Sequence, residues 1–183
     1  MYGSIVSPPE QFRDVSPLQA LAGGTLASVN AQEQLPVIPG YNVIRELGRG
    51  GMAVVYLATQ NLFERKVALK VMLPSISTDP DFGQRFFREA RIIGQLSHPH
   101  IVPVYEVGEH HGRYFLSMEY LPAGDLSDRI DDGMSIPDVL EVITQMAQAL
   151  ARAHSHGVIH RDVYPDNIMF RSAEDVVPVS YTH

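Results

Sequence analysis

The residues best suited to chemistry in this 183-residue chain lie in one short run, His160-Arg161-Asp162-Val163-Tyr164-Pro165-Asp166-Asn167. The Asp162 carboxylate can accept a proton, and the Asn167 carboxamide can ligate a hard cation five residues away on the same tight loop. Four specified residues at this spacing arise by chance in a chain of this length about once in a thousand. Three further groups suit a phosphate. In Gly48-Arg49-Gly50-Gly51-Met52-Ala53-Val54-Val55 the glycines would let backbone N–H groups approach phosphate oxygens. Lys70, closing the run Val67-Ala68-Leu69-Lys70, offers a point charge of the kind that binds phosphate. Glu89 borders an apolar helical stripe, where a carboxylate needs a partner, and Lys70 is one candidate. Taken singly, each of these three has a plainer reading: a hairpin turn, a solvated strand lysine, and a surface ion pair with Arg85.

Such residues work only if elements hold them together. Residues 41–47, 54–58 and 66–72 have strand composition, with Val67, Leu69 and Val71 on one face of the third run. Glycine interrupts the first two at 48–51, so the glycine run lies on a strand–turn–strand. That context excludes dinucleotide-binding turns and P-loops, both of which need a helix next. The period then changes. Asp79-Pro80 reads as a helix N-cap followed by proline, and Phe82, Phe86, Ala90, Ile93 and Leu96 give one buried stripe on a helix over 80–96. Ser97-His98-Pro99 closes it. Strands over 102–107 and 113–118 follow, joined by a turn at 109–112. After Leu121-Pro122-Ala123-Gly124 the pattern turns helical. A capping box of Ser135 with Asp138 opens a helix that ends at Gly157, with Val139, Ile143, Met146, Ala147, Leu150 and His154 on one face. Five strands with one inserted helix, a connector and a helical segment make two lobes with a cleft at the connector.

Composition narrows the classes. Apolar residues make up 45%, a globular proportion, and there is no cysteine, which excludes disulfides and thiolate zinc sites. No apolar run is long enough to span a membrane, and no basic-then-apolar leader opens the chain. These features fit a cytoplasmic protein, with an anchor elsewhere in a longer chain left open. The net charge is −7, and residues 120–183 carry −6 of it. An acidic chain with no basic stripe argues against nucleic acid as a partner. The acidic final third reads as a solvated face, or as a preference for basic substrates. The pairs His98/His100, His110/His111 and His154/His156 fall short of the three or four converging ligands that zinc needs. Residues 1–37, broken by Ser7-Pro8-Pro9, Ser16-Pro17 and Gly23-Gly24, read as a flexible leader with a short helix near 17–21.

In this order and context the four motifs resemble the protein-kinase set. Ile44-Arg45-Glu46-Leu47-Gly48, Phe87-Arg88-Glu89-Ala90 and His98-Pro99-His100-Ile101-Val102 are similar to bacterial-type serine/threonine protein kinases, and the resemblance covers about 41–170. It implies an α+β, two-lobe fold: a five-stranded antiparallel N-lobe with one helix at 38–118, a hinge at 119–124 and a partial helical C-lobe at 125–179. The implied reaction is transfer of phosphate from ATP to serine or threonine hydroxyls of proteins, with magnesium or manganese. Gly48, Arg49, Gly50, Gly51, Met52 and Ala53 would cover the phosphates. Leu47, Val55, Ala68 and Met169 would sandwich the adenine, with Met118 as gatekeeper. The backbone of Glu119 and Leu121 would meet the adenine edge, and Asp125 the ribose. Lys70 would contact phosphate and pair with Glu89, Asp162 would orient and deprotonate the substrate hydroxyl, and Asn167 would hold one magnesium ion.

Three departures from the family pattern stand out. Ala53 replaces the third glycine. Tyr164 stands where the family has a lysine that meets the γ-phosphate, and a phenol cannot supply that charge. The Asp-Phe-Gly motif expected after a hairpin that follows Asn167 does not occur there, and Ser180-Tyr181-Thr182-His183 is a tail unlike the family. The resemblance therefore implies that this stretch alone is a truncated, inactive portion of a kinase whose partner helix for the 139–150 face lies elsewhere. A nucleotide-binding pseudokinase or scaffold is the alternative.

Overall fold

A computed structural model describes residues 35–75 and 80–172, together with the backbone of 176–178. The 17–21 helix, most of the 1–37 leader, the 180–183 tail and Asp79 lie outside the described residues. Strands β1 (Tyr41–Arg49), β2 (Ala53–Gln60), β3 (Arg65–Met72), β4 (Val104–His110) and β5 (Arg113–Glu119) form one antiparallel sheet in the order β1-β2-β3-β5-β4. Helix α1 (Phe82–Gly94) joins β3 to β4. Helices α2 (Leu126–Asp131) and α3 (Ile136–Ser155) follow, and then a hairpin of β6 (Ile168–Phe170) and β7 (Val176–Pro178). This is the two-lobe architecture that the resemblance implies, with the five-stranded lobe and part of a helical one.

Strand alternation sorts β3 cleanly. Val67, Leu69 and Val71 share a buried cluster with Ile38, Tyr41, Ala58 and Phe115 on one face of the sheet. Ala68 and Met72 turn to the other face, where they meet Phe82, Phe86 and Ala90 of α1 together with Leu116 and Met118. Lys70 pairs with Val55 on one side and Leu116 on the other, so the register puts it on the α1 face. The β1–β2 ladder skips one residue between Glu46 and Gly48. The extra residue is Leu47, and such a bulge re-aims a side chain. Leu47 packs against the α1-side cluster.

Several expectations need correction. Helix α1 begins at Phe82 after Asp81, whose side chain makes no capping bond, and it ends at Gly94. The Ser97-His98-Pro99 run lies in the connection beyond it, although Leu96 still adds a buried contact. Strand β4 starts at Val104 and runs to His110, so the turn shrinks to His111 and Gly112, both with positive φ. The short helix α2 carries no apolar stripe, which hides it from periodicity. Asp125 caps it, accepting the Asp128 N–H at 3.0 Å.

The Ser135–Asp138 capping box is present on α3, yet the buried stripe is not the expected one. Val142, Ala149 and Ala153 are buried, with Met146 half-buried. Val139, Leu140 and Ile143 stay 37%, 60% and 55% exposed, and Ala147 and His154 are exposed too. Small residues explain the choice. Ala149 and Ala153 let α3 approach Leu96 and Ile101 closely, and Val142 meets Ile168 and Phe170 of the hairpin.

Candidate active site

The glycine run folds as the turn between β1 and β2, closed by a hydrogen bond from the Gly50 N–H to the Ala53 carbonyl at 2.9 Å. The turn itself does not require glycine at 48, 50 or 51. None of the three has a positive φ, and an added Cβ would meet nothing within 4 Å at Gly48 or Gly51 and only the Ala53 carbonyl, at 3.8 Å, at Gly50. Open space over bare backbone is what a phosphate needs, and an exposed hairpin turn offers it too. Arg49 lies along the turn with its guanidinium on Glu46, at 2.8 and 3.2 Å. Met52 is exposed.

Beneath the turn lies an apolar surface. Ala53, Ala68, Met118 and Leu121 are buried in one cluster, and half-buried Leu47, Val55 and Met169 pack against it. The structure thus gathers the residues expected around a flat heterocycle from β1, β2, β3, β5, β6 and the connector. Asp125 bridges to Met169 across this edge while its Oδ1 caps α2. At the end of β5 the Glu119 N–H donates to the Pro103 carbonyl at 3.1 Å.

The polar residues converge on the same cleft. Burial pushes the Lys70 ammonium below the usual lysine range, and the nearby Asp162 carboxylate pulls it back up. The Asp162 charge acts on Lys70, so the 160–167 loop lies within electrostatic reach of β3. Glu89 lies half-buried on α1, beside Phe86 and Ala90 of the cluster that also holds Ala68 and Met72. Asn167 ends the 3-10 turn Pro165–Asn167 and donates from Nδ2 to Asp162 Oδ2 at 2.8 Å and to the Asp162 carbonyl at 3.1 Å. Both bonds use the amide nitrogen, which leaves Oδ1, a hard oxygen of the kind magnesium prefers. No three His, Cys, Asp or Glu side chains gather as a metal-binding group among the described residues. Both His160 ring nitrogens are buried without a hydrogen-bond partner among the described residues. Burial holds the ring below the usual histidine range, against the pull of Asp162. Tyr164 is 63% exposed.

Two arginines were not legible in the sequence. Arg171 forks onto Glu119, with Nε to Oε1 at 2.9 Å and an Nη to Oε2 at 2.8 Å. Arg129 lies 3.4 Å over the Phe170 ring. The first pair is separated by 52 residues, a distance no spacing rule covers. The tripeptide Asp81-Phe82-Gly83 opens α1, with Phe82 in the core and Gly83 against the Tyr114 ring. It is a packing feature far from the 160–167 loop in sequence, and it does not follow the β6–β7 hairpin.

Comparison with known proteins agrees with this geometry. The protein kinase domain family matches residues 41–179. The serine/threonine-protein kinase PknF of Mycobacterium tuberculosis is 41% identical over 139 residues, which are 74% of this chain and 29% of PknF. PknH of Mycobacterium bovis is 44% identical over 131 residues, 70% of this chain and 22% of that protein. The crystal structure of the Mycobacterium tuberculosis PknI kinase domain superimposes with a TM-score of 0.69 at 33% identity, covering 80% of this chain and 61% of that one. The chain spans less than a third of the length of these curated relatives.

Proposed function

Because the chain belongs to the protein kinase domain family, whose matched relatives are bacterial serine/threonine-protein kinases, we propose that its cleft binds ATP with a divalent metal and that the domain transfers the γ-phosphoryl group to serine or threonine hydroxyls of proteins. The observation that carries the reading is the convergence of the open glycine turn, Lys70 and the Asp162–Asn167 pair over one apolar surface. In this reading 38–118 is the nucleotide lobe, 119–124 the hinge and 125–179 the beginning of the substrate lobe.

The roles follow from chemistry. Leu47, Val55, Ala68 and Met169 offer apolar faces to the adenine, and Met118 closes the back of the pocket. The carbonyl of Glu119 and the backbone of Leu121 meet its polar edge. Asp125 keeps one carboxylate oxygen for the ribose. The turn from Gly48 to Ala53 lies over the phosphates, and Lys70, oriented by Glu89, neutralises their charge. Asp162 accepts hydrogen-bond donation from Asn167, which fixes its carboxylate to receive the substrate hydroxyl proton. Magnesium would be held through Asn167 Oδ1 and would neutralise charge on the transferring group. A kinase ordinarily brings a carboxylate beyond the catalytic aspartate to the metals, and among the described residues no three His, Cys, Asp or Glu side chains gather as a metal-binding group.

Tyr164 favours a second reading, a pseudokinase that binds nucleotide without efficient transfer. One pair of measurements separates the two. Calorimetry of the 183-residue chain with magnesium ADP should show binding that Lys70→Met weakens at least tenfold. Turnover on serine/threonine peptides should be near background in the 183-residue chain. In a version carried through a complete kinase domain, turnover should appear and rise with Tyr164→Lys. Binding that ignores Lys70→Met would refute the site. A complete domain that binds ATP yet transfers nothing, with or without Tyr164→Lys, would leave the pseudokinase.

A further inference from the structure

The Arg171 fork does more than join two surface charges. Its guanidinium holds both Glu119 carboxylate oxygens, and Nη1 also donates to the Pro99 carbonyl at 3.3 Å. Three segments meet at this one group: the connection between α1 and β4 through Pro99, the end of β5 through Glu119, and the residue just past β6, the strand carrying Met169, through Arg171 itself. Further bonds tie the same strand to the connector. The Phe170 N–H donates to the Gly124 carbonyl at 3.0 Å, and the Ala123 N–H to the Phe170 carbonyl at 3.2 Å. Arg129, stacked on Phe170, donates to the Ser172 carbonyl at 3.0 Å. The connector exit is thus fixed by backbone bonds, while its beginning is fixed from this side by Arg171.

Glu119 shows why that matters. It pairs with Val67 in the β3–β5 ladder, so its side chain leaves the sheet on the face away from the α1-side cluster. The side chain is therefore free to be gripped from behind while its backbone borders the cleft. We propose that Arg171 is a positioning residue for the nucleotide site, holding the 119–121 backbone at a fixed height over Met169 so that an adenine fits between them. The inference rests on the reading of 119–121 as the adenine edge. A planar guanidinium suits the task, because two parallel bonds to one carboxylate fix orientation as well as distance, which an ammonium cannot do. Preorganisation of this sort lowers the ordering cost of binding without touching the ligand.

The test uses the 183-residue chain and the variants Arg171→Ala, Arg171→Lys, Glu119→Gln and the Arg171→Ala/Glu119→Gln double. Adenosine and magnesium ADP are titrated by calorimetry, and amide exchange is followed over 119–123 and 168–170 without ligand. The expected result is about tenfold weaker binding of both ligands in Arg171→Ala and in Glu119→Gln. The loss should be equal for the two ligands because it lies in the adenine half, partly recovered by lysine, and no larger in the double variant. Exchange over 119–123 should quicken in Arg171→Ala. Adenosine affinity within twofold of the wild type in Arg171→Ala and Glu119→Gln would overturn the proposal, as would losses that add. If Arg171→Ala fails to fold, Arg171→Lys and Glu119→Gln carry the same comparison. A wild-type chain that bound neither ligand would refute the nucleotide reading instead. The clamp would then stand or fall on exchange, supported by quickened 119–123 amides and refuted by unchanged ones.

Discussion

The central strands of the sheet bury residues on both faces, whereas helix α3 is covered along one narrow stripe. Behind the sheet lie Ile38, Tyr41 and Phe115, and in front of it lie α1 and the cleft cluster. Helix α3, at 20 residues the longest of the helices described, buries only Val142, Ala149 and Ala153 and exposes Ile136, Val139, Leu140 and Ile143. The difference separates two jobs. The sheet makes its own core and so can present Lys70 and the glycine turn on a firm base. The helical part borrows burial from the sheet side and from the β6–β7 hairpin, so the 160–167 loop depends on contacts between segments distant in sequence.

The sharpest way to break this comparison is to empty the core between sheet and helix. Phe86 is 2% exposed and packs among Phe82, Phe87 and Tyr114, with ring centroids 5.5–5.8 Å from its own. Phe86→Ala should cost about 3–5 kcal/mol in urea unfolding, the range for large aromatic deletions. A cost below about 1 kcal/mol would mean that α1 contributes little to the sheet's core, and that the firm base for Lys70 lies elsewhere.

The two regions should also fail at opposite ends of the pH scale. Tyr41 donates to Glu106 at 2.5 Å, and burial first, then that carboxylate, pushes its hydroxyl up to about 12. An unfolded tyrosine titrates near 10, at about 1.4 kcal/mol per unit of difference. Below pH 10 both states hold the proton and the contribution is complete. As pH rises from 10 through 12 the unfolded state releases it first, and about 2–3 kcal/mol is lost. Lys70 acts in the opposite direction, since its lowered range makes the native state release a proton before the unfolded one. The slope assigned to Tyr41 is therefore the difference between wild type and Tyr41→Phe. His160, held below its usual range, should remove stability as pH falls under about 6.5, where the unfolded chain binds the proton and the native loop resists it. A flat difference between wild type and Tyr41→Phe above pH 10 would remove the alkaline half of the contrast.

What could be read in the sequence follows the same division. The faces of β3, the strand–turn–strand setting of the glycines and the Ser135–Asp138 box all follow from rules local to a few residues, and all are present. The stripe on α3 was misread because two apolar tracks run along that helix. The choice between them is made by the distant Leu96, Ile101 and Phe170. Helix α2 has a cap and no stripe, and the Arg171–Glu119 fork joins residues 52 apart. Tertiary partners decide such features, and a single sequence does not name them. Lys70 and Glu89 were legible because periodicity fixes the faces of β3 and α1, whereas the glycine turn and the 160–167 loop were legible only through residue types at short, fixed spacing.

The smallest expected effect is the one that defines the outer face of α3. Leu140 and Ile143 lie one turn apart and are 60% and 55% exposed. Neither belongs to a buried cluster among the described residues. Replacing an exposed apolar residue removes few contacts, so Leu140→Gln/Ile143→Gln should change unfolding stability by no more than about 0.5 kcal/mol. A contiguous exposed apolar strip still favours association, so the double variant should self-associate less at high concentration. Urea unfolding and sedimentation read the two quantities separately. A loss above about 1 kcal/mol would mean that the outer track of α3 is covered in solution, and the contrast between a self-sufficient sheet and a half-covered helix would fall. An unchanged stability with reduced association would fix the helix as the part of the fold whose burial is incomplete in this chain.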